Sequence, residues 1–199
     1  MCTYLRPFAR LLVLGGWIAA FLPTAFAQQP HKFDYRVLAT NRTSTAEKEM
    51  NEAAAAGFVF AAVMGGETGF GGNEVVVVMT KDTSAAEGQK RAYKLLATSR
   101  TSAMQKEMQQ LGEEGFDYKA QTIFSSTFGG KEVVVIMERV LGQSARRYEF
   151  KLMATSRTST MQKELREAGD AGFSMVGMTV AKTLLGGAEV VSIMRKEPQ

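Results

Sequence analysis

The hexapeptide Ala-Thr-Ser-Arg-Thr-Ser occurs twice in the chain, at Ala97–Ser102 and at Ala154–Ser159, and the near copy Ala-Thr-Asn-Arg-Thr-Ser spans Ala39–Ser44. Glycine-phenylalanine pairs and glycine-glycine pairs recur at the same spacing of 58 and then 57 residues. These pairs are Gly57-Phe58, Gly115-Phe116 and Gly172-Phe173, followed by Gly71-Gly72, Gly129-Gly130 and Gly186-Gly187. A fixed period of this length predicts one supersecondary unit that is used three times.

Each unit is predicted to begin with a short strand, because apolar and polar side chains alternate there. The three strands are Tyr35–Ala39, Tyr93–Ala97 and Phe150–Ala154. Two further strands are predicted in each unit, and we expect them to pair as a hairpin whose turn holds the glycine pair. Their ranges are Phe58–Met64 with Glu74–Thr80, Phe116–Phe124 with Glu132–Glu138, and Phe173–Ala181 with Glu189–Arg195. The last strand of each hairpin is almost continuously apolar, which indicates a strand that is covered on both faces or lies at the centre of a sheet.

A helix is predicted between the first and second strands of each unit. Ser44, Ser102 and Ser159 each stand three residues before Glu or Gln, the spacing of a capping box at a helix start. An apolar stripe follows, and the helix is expected to end at the glycine of the Gly-Phe pair. The stripes are Ala46, Met50 and Ala53, then Met104, Met108 and Leu111, then Met161, Leu165 and Ala168.

The predicted fold class is therefore α+β, with three tandem strand–helix–strand–strand units at residues 28–82, 91–140 and 147–197. A unit of about 50 residues buries too little surface to be comfortably stable alone, so we expect the three to pack together. Pseudo-threefold packing is one such arrangement. Independent units joined by the polar linkers Lys81–Lys90 and Leu141–Arg146 are the alternative.

Residues 1–27 are predicted to be a secretory signal peptide. Two arginines precede the apolar run Leu11–Phe21, and Ala25-Phe26-Ala27 forms a small-x-small cleavage site. The run is about half the ~20 residues that a membrane-spanning helix needs, which favours cleavage after Ala27 over an uncleaved anchor. The protein is therefore expected in the periplasm or outside the cell.

The composition of the remaining chain excludes several classes of function. The single cysteine, Cys2, lies within the signal peptide, so disulfide and thiolate chemistry is not expected. Residues 28–199 carry 22 basic and 20 acidic side chains, a net charge of +2 without a basic cluster. This balance argues against nucleic-acid binding and against strong membrane binding after cleavage.

The order of these motifs resembles a small bacterial family, the domain of unknown function 4177. The shared pattern is a Tyr-x-Leu/Val strand, a polar helix that ends at Gly-Phe, and a hairpin that closes on Ile136–Arg139 or Ile193–Lys196. Members of that family look like one such unit. Phe58, Phe116 and Phe173 depart from the pattern, since an aromatic residue with a polar edge is typical there. The resemblance implies a fold class and a bacterial source but no activity.

Three recurring arginines are the candidate ligand-binding residues. Arg42, Arg100 and Arg157 each lie between the first strand and the helix, beside Ser44, Ser102 and Ser159. An arginine next to the free amides of a helix start can bind an anion. The competing interpretation is structural, namely that each arginine pairs with a carboxylate of its own unit. The recurring carboxylates are Glu74, Glu132 and Glu189, and Glu49, Glu107 and Glu164.

No catalytic or metal-binding constellation is predicted. The only histidine, His31, lies near the start of the exported chain, which leaves no candidate for the usual general base. Eleven methionines outside the signal peptide invite a copper(I) site, but most occupy core positions, and Met175 and Met178 are expected on opposite faces of a strand. We therefore expect no cofactor.

The sequence favours an exported, non-catalytic interaction module that binds an envelope protein. Self-association is a further prediction. The alternative is a carrier of a small anionic ligand that uses the repeated Arg-Thr-Ser turn. An enzyme is not expected, because no residues support catalysis.

Overall fold

The computed structural model describes residues 32–69, 72–86, 88–125, 130–144, 146–182 and 188–197. The predicted signal peptide, Cys2, His31 and parts of the three glycine-glycine loops lie outside the described residues.

Within these residues the fold is α+β, with three helices and three small antiparallel sheets of three strands each. Unit 1 comprises β1 (Phe33–Thr40), α1 (Thr43–Ala55), β2 (Val59–Thr68) and β3 (Gly72–Asp82). Unit 2 comprises β4 (Arg91–Thr98), α2 (Thr101–Glu113), β5 (Asp117–Ser125) and β6 (Lys131–Val140). Unit 3 comprises β7 (Glu149–Thr155), α3 (Thr158–Asp170), β8 (Ser174–Lys182) and β9 (Ala188–Lys196).

The third strand of each unit is the central strand of its sheet. The strand orders are β1-β3-β2, β4-β6-β5 and β7-β9-β8, so the predicted hairpins and the central position of the most apolar strands are confirmed. In β3, for example, Val75, Val77 and Met79 are fully buried. These three residues lie on one face of β3. In β6 both faces are apolar because both are covered: Val134 and Ile136 belong to the cluster around α1, and Val133, Val135 and Met137 to the cluster around α2.

A bulge interrupts the second strand of every sheet, and it corrects one prediction about the methionines. In β8 the register shifts between Met175 and Gly177, so that Met175 pairs with Met194 and Met178 pairs with Ser192. Those two partners are two residues apart and share a face of β9. Met175 and Met178 therefore lie on the same face, and the expectation of opposite faces was wrong because a bulge inserts one residue.

The predicted capping boxes were also wrong. α1 begins at Thr43 after Arg42, and no side chain caps its start, so Ser44 already lies within the first turn. The same holds for Ser102 in α2 and Ser159 in α3. A hydrogen bond to the side chain of the preceding threonine stabilises the turn that leads into the helix instead. In unit 1, Thr40 Oγ1 accepts the Arg42 N–H at 3.2 Å, while the Arg42 carbonyl accepts the Ala46 N–H at 3.1 Å.

The helix ends follow the prediction. Gly57, Gly115 and Gly172 adopt φ angles of 87°, 90° and 86°, the left-handed conformation that ends a helix without strain only at glycine. A cation from the end of the central strand completes two of these ends. Lys81 Nζ donates to the Ala56 carbonyl at 2.9 Å, and Arg139 Nη1 donates to the Glu114 carbonyl at 3.1 Å.

The core consists of three buried clusters arranged along the chain. In the first, α1 lies between the inner face of the first sheet (Val75, Val77) and the second sheet (Val134, Ile136). In the second, α2 lies in the same way between the second and third sheets. In the third, α3 packs on the third sheet alone, with Ala168 as its one buried residue. Among the described residues, no cluster combines the first and third sheets.

Candidate interaction surface

The seam between units 1 and 2 is held by side chains of α1 that bind the main chain of β4. Asn51 Nδ2 donates to the Tyr93 carbonyl at 3.0 Å, and Asn51 Oδ1 accepts the Tyr93 N–H at 2.9 Å. One turn earlier, Glu47 accepts the Leu95 N–H at 3.0 Å and forms an ion pair with Lys94 at 2.9 Å. The three hydrogen bonds satisfy outward-facing peptide groups of an edge strand, which would otherwise remain unpaired, and the ion pair adds a contact between side chains.

The seam between units 2 and 3 uses the same positions with glutamines. Gln105 Nε2 donates to the Phe150 carbonyl at 2.7 Å, and Gln105 Oε1 accepts the Leu152 N–H at 2.6 Å. Gln109 Oε1 accepts the Phe150 N–H at 3.0 Å. Two of the three residues predicted to complete capping boxes, Glu47 and Gln105, therefore contact the next unit instead.

Gly112 allows β7 to approach α2 closely. A Cβ atom at this position would overlap the Tyr148 carbonyl oxygen and lie 3.0 Å from the Phe150 ring. The Gly112 carbonyl accepts the Tyr148 N–H at 2.9 Å, so helix and strand touch through their main chains. Glycine is the residue that permits this approach without displacing the strand.

Tyr93 is the most buried polar group of the first seam. Its hydroxyl accepts the Phe60 N–H at 2.9 Å and donates to Glu138 at 2.7 Å. The buried Glu138 carboxylate also contacts Lys119 at 2.9 Å and Arg91 at 3.6 Å. Burial, followed by the hydrogen bond to Glu138, raises the pKa of Tyr93 above its ordinary value. The hydroxyl therefore stays protonated and acts as a structural link between the two units.

A second line of contacts joins the outer strands β2, β5 and β8. A Cβ atom at Gly65 of β2 would overlap the Ile123 carbonyl oxygen of β5. A Cβ atom at Gly177 of β8 would lie 2.5 Å from the Tyr118 hydroxyl, and Gln121 donates to the Met178 carbonyl. Each seam thus combines a helix-to-strand contact with a strand-to-strand contact.

Unit 1 has a surface equivalent to those that β4 and β7 bury, but the described residues leave it uncovered. Tyr35 occupies the position of Tyr93 and Phe150, yet it is 60% exposed where they are 1% and 2% exposed. We call the uncovered outer side of the first sheet the N-terminal face, defined by Phe33, Tyr35, Val37 and Met64.

Unit 3 has the opposite uncovered surface, the C-terminal face. It consists of the outer side of α3, with Gln162, Arg166 and Gly169, and of Met175, Met178 and Val180 on β8. All six are exposed. Seven of the nine large apolar side chains that the described residues leave exposed belong to the two end faces, so the exposed apolar surface is concentrated there.

The predicted site residues lie elsewhere, at three separate junctions between a first strand and its helix. Arg42, Arg100 and Arg157 are exposed, as are Ser44, Ser102 and Ser159. Among the ion pairs of the described residues, none involves these arginines, so the predicted pairing with carboxylates of their own units is not found there. Glu74 instead accepts a hydrogen bond from Thr68.

The described part of the chain contains no group of three or more His, Cys, Asp or Glu side chains that could hold a metal ion. An open groove of about 450 Å³ is lined by Asp170, Ser174, Arg195 and Glu197 among others, and none of the predicted site residues lines it. No helix of the described ranges is long and apolar enough to cross a membrane.

No protein-family model, curated protein or solved structure matches this chain. The resemblance to the domain of unknown function 4177 therefore stays a prediction.

Reasoning from the sequence missed both end faces. The alignment of Tyr35 with Tyr93 and Phe150 was visible, but burial of the latter two depends on the helix of the preceding unit. A helix with two packing partners carries buried residues around more of its circumference than one sheet requires. In the structure α2 buries four residues and α3 buries one, a difference that the matching apolar stripes of the two helices did not reveal.

Proposed function

We propose that this protein is an exported, non-catalytic interaction module that binds protein through its two end faces. The observation that carries the proposal is the exposure of Tyr35 and Val37, at 60% and 65%, on a face whose equivalents in units 2 and 3 lie in a seam. Contiguous exposed apolar surface rimmed by polar residues is typical of a protein-binding site.

We further infer that units 1 to 3 are tandem copies of one unit, related to the domain of unknown function 4177. In our proposal they stack as an open row. A closed pseudo-threefold arrangement would pack unit 3 on unit 1 and would bury the two faces that the described residues leave exposed. The row format supports a binding role, because stacked units present broad surfaces whose ends need a cap or a partner.

A photocrosslinking experiment tests the binding role. A photoreactive phenylalanine analogue replaces Val37 on the N-terminal face or Met178 on the C-terminal face, and Lys106 on the solvated side of α2 serves as the matched control. Irradiation of the living source cells is expected to yield protein adducts from positions 37 and 178 and none from position 106. Equal yields at all three positions, or no adduct from either face, would overturn the proposal.

The carrier of a small anion is a second candidate, because Arg42, Arg100 and Arg157 are exposed and free of ion pairs within the described residues. Native mass spectrometry of the protein from its own envelope is expected to show extra mass that disappears in the double variant Arg100→Ala, Arg157→Ala. A bare mass for the unaltered protein would remove this candidate.

A further inference from the structure

We infer that the partner of the end faces is a second copy of this chain, whose N-terminal face docks on the C-terminal face of the first. This inference rests on the proposed binding role and identifies the partner. The chain already makes this contact twice, at the α1/β4 seam and at the α2/β7 seam. An α3/β1 contact between copies continues the same series.

The first element of the contact is Gln162. It stands at the position of Gln105, whose amide binds the Phe150 carbonyl and the Leu152 N–H. Gln162 carries the same side chain and is exposed. In the docked pair we expect it to bind the Tyr35 carbonyl and the Val37 N–H of the next copy, which are the equivalent groups of β1.

The second element is Gly169. It stands at the position of Gly112, where the Tyr148 carbonyl oxygen, just before β7, leaves no room for a Cβ atom. At Gly169 nothing lies within 4 Å of such an atom, and the φ angle there is not positive. Glycine within a helix lowers its stability. No contact within the described chain explains why glycine stands at position 169. A β1 strand from the next copy, with Phe33 in the place of Tyr148, would use the room that glycine leaves there, as β7 does at the α2/β7 seam. At the α1/β4 seam the equivalent residue is the buried Ala54.

The third element is a matched change in hydrogen bonding. Arg166 replaces Asn51 and Gln109, so unlike them it cannot accept the N–H of the incoming strand. On β1 that N–H belongs to Tyr35, and it is already accepted by Asp34 Oδ1 at 2.8 Å. Arg166 cannot accept the Tyr35 N–H, but Asp34 of the same strand already does. Arg166 can therefore donate to the Tyr35 carbonyl.

The strand side of the contact is complementary in size. Met175 and Met178 lie on the same face of β8. Met175 stands at the position of Tyr118 in β5, and the Tyr118 side chain extends over Gly177 of the next unit. The residue of unit 1 that corresponds to Gly177 is Ala62, and it is exposed. The flexible methionines of one copy thus meet a small residue of the next, a combination that packs readily.

Such a contact joins two different surfaces, so it is heterologous and each dimer keeps one free end of each kind. The assembly accordingly grows into a closed ring or an open filament. The two faces can also be blocked separately, which makes the direction of docking testable.

The experiment uses two variants of the full-length protein and their mixture. Tyr35→Arg places a charge on the N-terminal face, and Gly169→Trp fills the C-terminal face. Sedimentation velocity is expected to show concentration-dependent association of the unaltered protein, and each variant alone should associate at least about tenfold more weakly. An equimolar mixture should form a one-to-one dimer and nothing larger, because each variant keeps one intact face.

Leu141→Arg and Gly88→Trp are the matched controls. Both change exposed residues outside the end faces, and both should associate like the unaltered protein. An unaltered protein that stays monomeric at all concentrations would overturn the inference, as would a mixture that does not dimerise. If position 37 nevertheless crosslinks to a different protein in cells, the binding role survives and only the identity of the partner is wrong.

Discussion

The same residue type has two different roles in two helices. Gly112 and Gly169 occupy equivalent helical positions, but only Gly112 has a strand packed on it. Substitutions at Gly169 therefore report how glycine affects helix stability alone, and substitutions at Gly112 report in addition the cost of a steric clash with the packed strand.

Gly112→Ala is expected to destabilise the protein by about 1–3 kcal/mol, because the new methyl group overlaps the Tyr148 carbonyl oxygen in a packed seam. Gly169→Ala is the control and should stabilise the monomer by up to about 1 kcal/mol, because alanine favours the helix. Urea unfolding at a concentration that keeps the protein monomeric measures both. Equal changes in the free energy of unfolding would show that Gly112 is not a packing residue.

A glutamine pair gives a second test at the residue scale. Gln105→Ala removes two hydrogen bonds to β7 and should cost about 1–3 kcal/mol, because the Phe150 carbonyl and the Leu152 N–H lose their partner. Gln162→Ala removes an exposed side chain and should change the stability of the monomer by less than about 0.5 kcal/mol. Hydrogen exchange at the Leu152 amide gives an independent reading, with faster exchange expected only in Gln105→Ala.

Tyr118 couples the stability of the protein to alkaline pH. Burial raises the pKa of Tyr118 to about 12 from an ordinary value of 10.0. The folded state keeps this proton in a range where the unfolded chain loses it, so its contribution to stability is complete below pH 10 and is lost as the pH rises toward 12. Tyr118→Phe should make the free energy of unfolding fall less steeply over that range.

Absorbance titration of the tyrosinate band identifies the group. The unaltered protein should show a component near pH 12 that Tyr118→Phe lacks. Loss of a component near pH 10 instead would mean that Tyr118 is exposed.

At this scale the sequence predicted the residues that act within one unit. The helix-ending glycines and the stripes of α1 and α2 were correct, because their environment is set by residues nearby in the chain. The roles of Gln105 and Gly112 were not predictable in this way. Each depends on a strand about 40 residues later, and the local pattern around Gln105 was equally consistent with a helix cap.

The three helices differ in the number of sheets against which they pack. α1 and α2 each lie between two sheets and bury four residues, whereas α3 packs on one sheet and buries only Ala168. Met161 and Leu165, predicted as core residues of α3, are half-buried for that reason. The apolar stripe of α3 matches those of α1 and α2, so the difference arises because no further sheet of the described residues packs on the outer side of α3.

Hydrogen exchange should rank the helices by this difference. In dilute protein, amides of α3 are expected to exchange faster than those of α1 and α2, because local opening exposes less apolar surface there. Mass spectrometry of peptides from each helix measures the rates. Protection of α3 that equals that of α2 in monomeric protein would mean that its outer side is covered by another part of the chain.

Neighbouring units depend on each other for their cores. Tyr93 and Ile136 belong to unit 2 but lie in the cluster around α1, and Phe150 and Ile193 of unit 3 lie in the cluster around α2. The alternative of independent units is therefore not what the described residues form. Composition could not predict whether the units share their cores. The same number of apolar residues is consistent with a sheet buried within one unit and with a contact between two units.

Unit 2 in isolation, residues Gln89–Val140, is expected to lack a cooperative thermal transition or to self-associate. It would expose apolar side chains on both seams, at roughly 1.5–3 kcal/mol for each large one that is no longer buried. A fragment of units 1 and 2 keeps one seam and should melt more cooperatively. Circular dichroism with light scattering measures both fragments, and a sharp transition from monomeric unit 2 would contradict the dependence.

The glutamine of the second seam also bears on how the chain can vary over generations. Gln105 grips β7 by the carbonyl of residue 150 and the N–H of residue 152, groups that belong to the peptide bond rather than to any particular side chain. Nineteen amino acids supply that N–H, and proline alone does not. Over generations this hydrogen bond therefore forbids only proline at position 152, while the packing of the half-buried Leu152 side chain on the second cluster is a separate constraint.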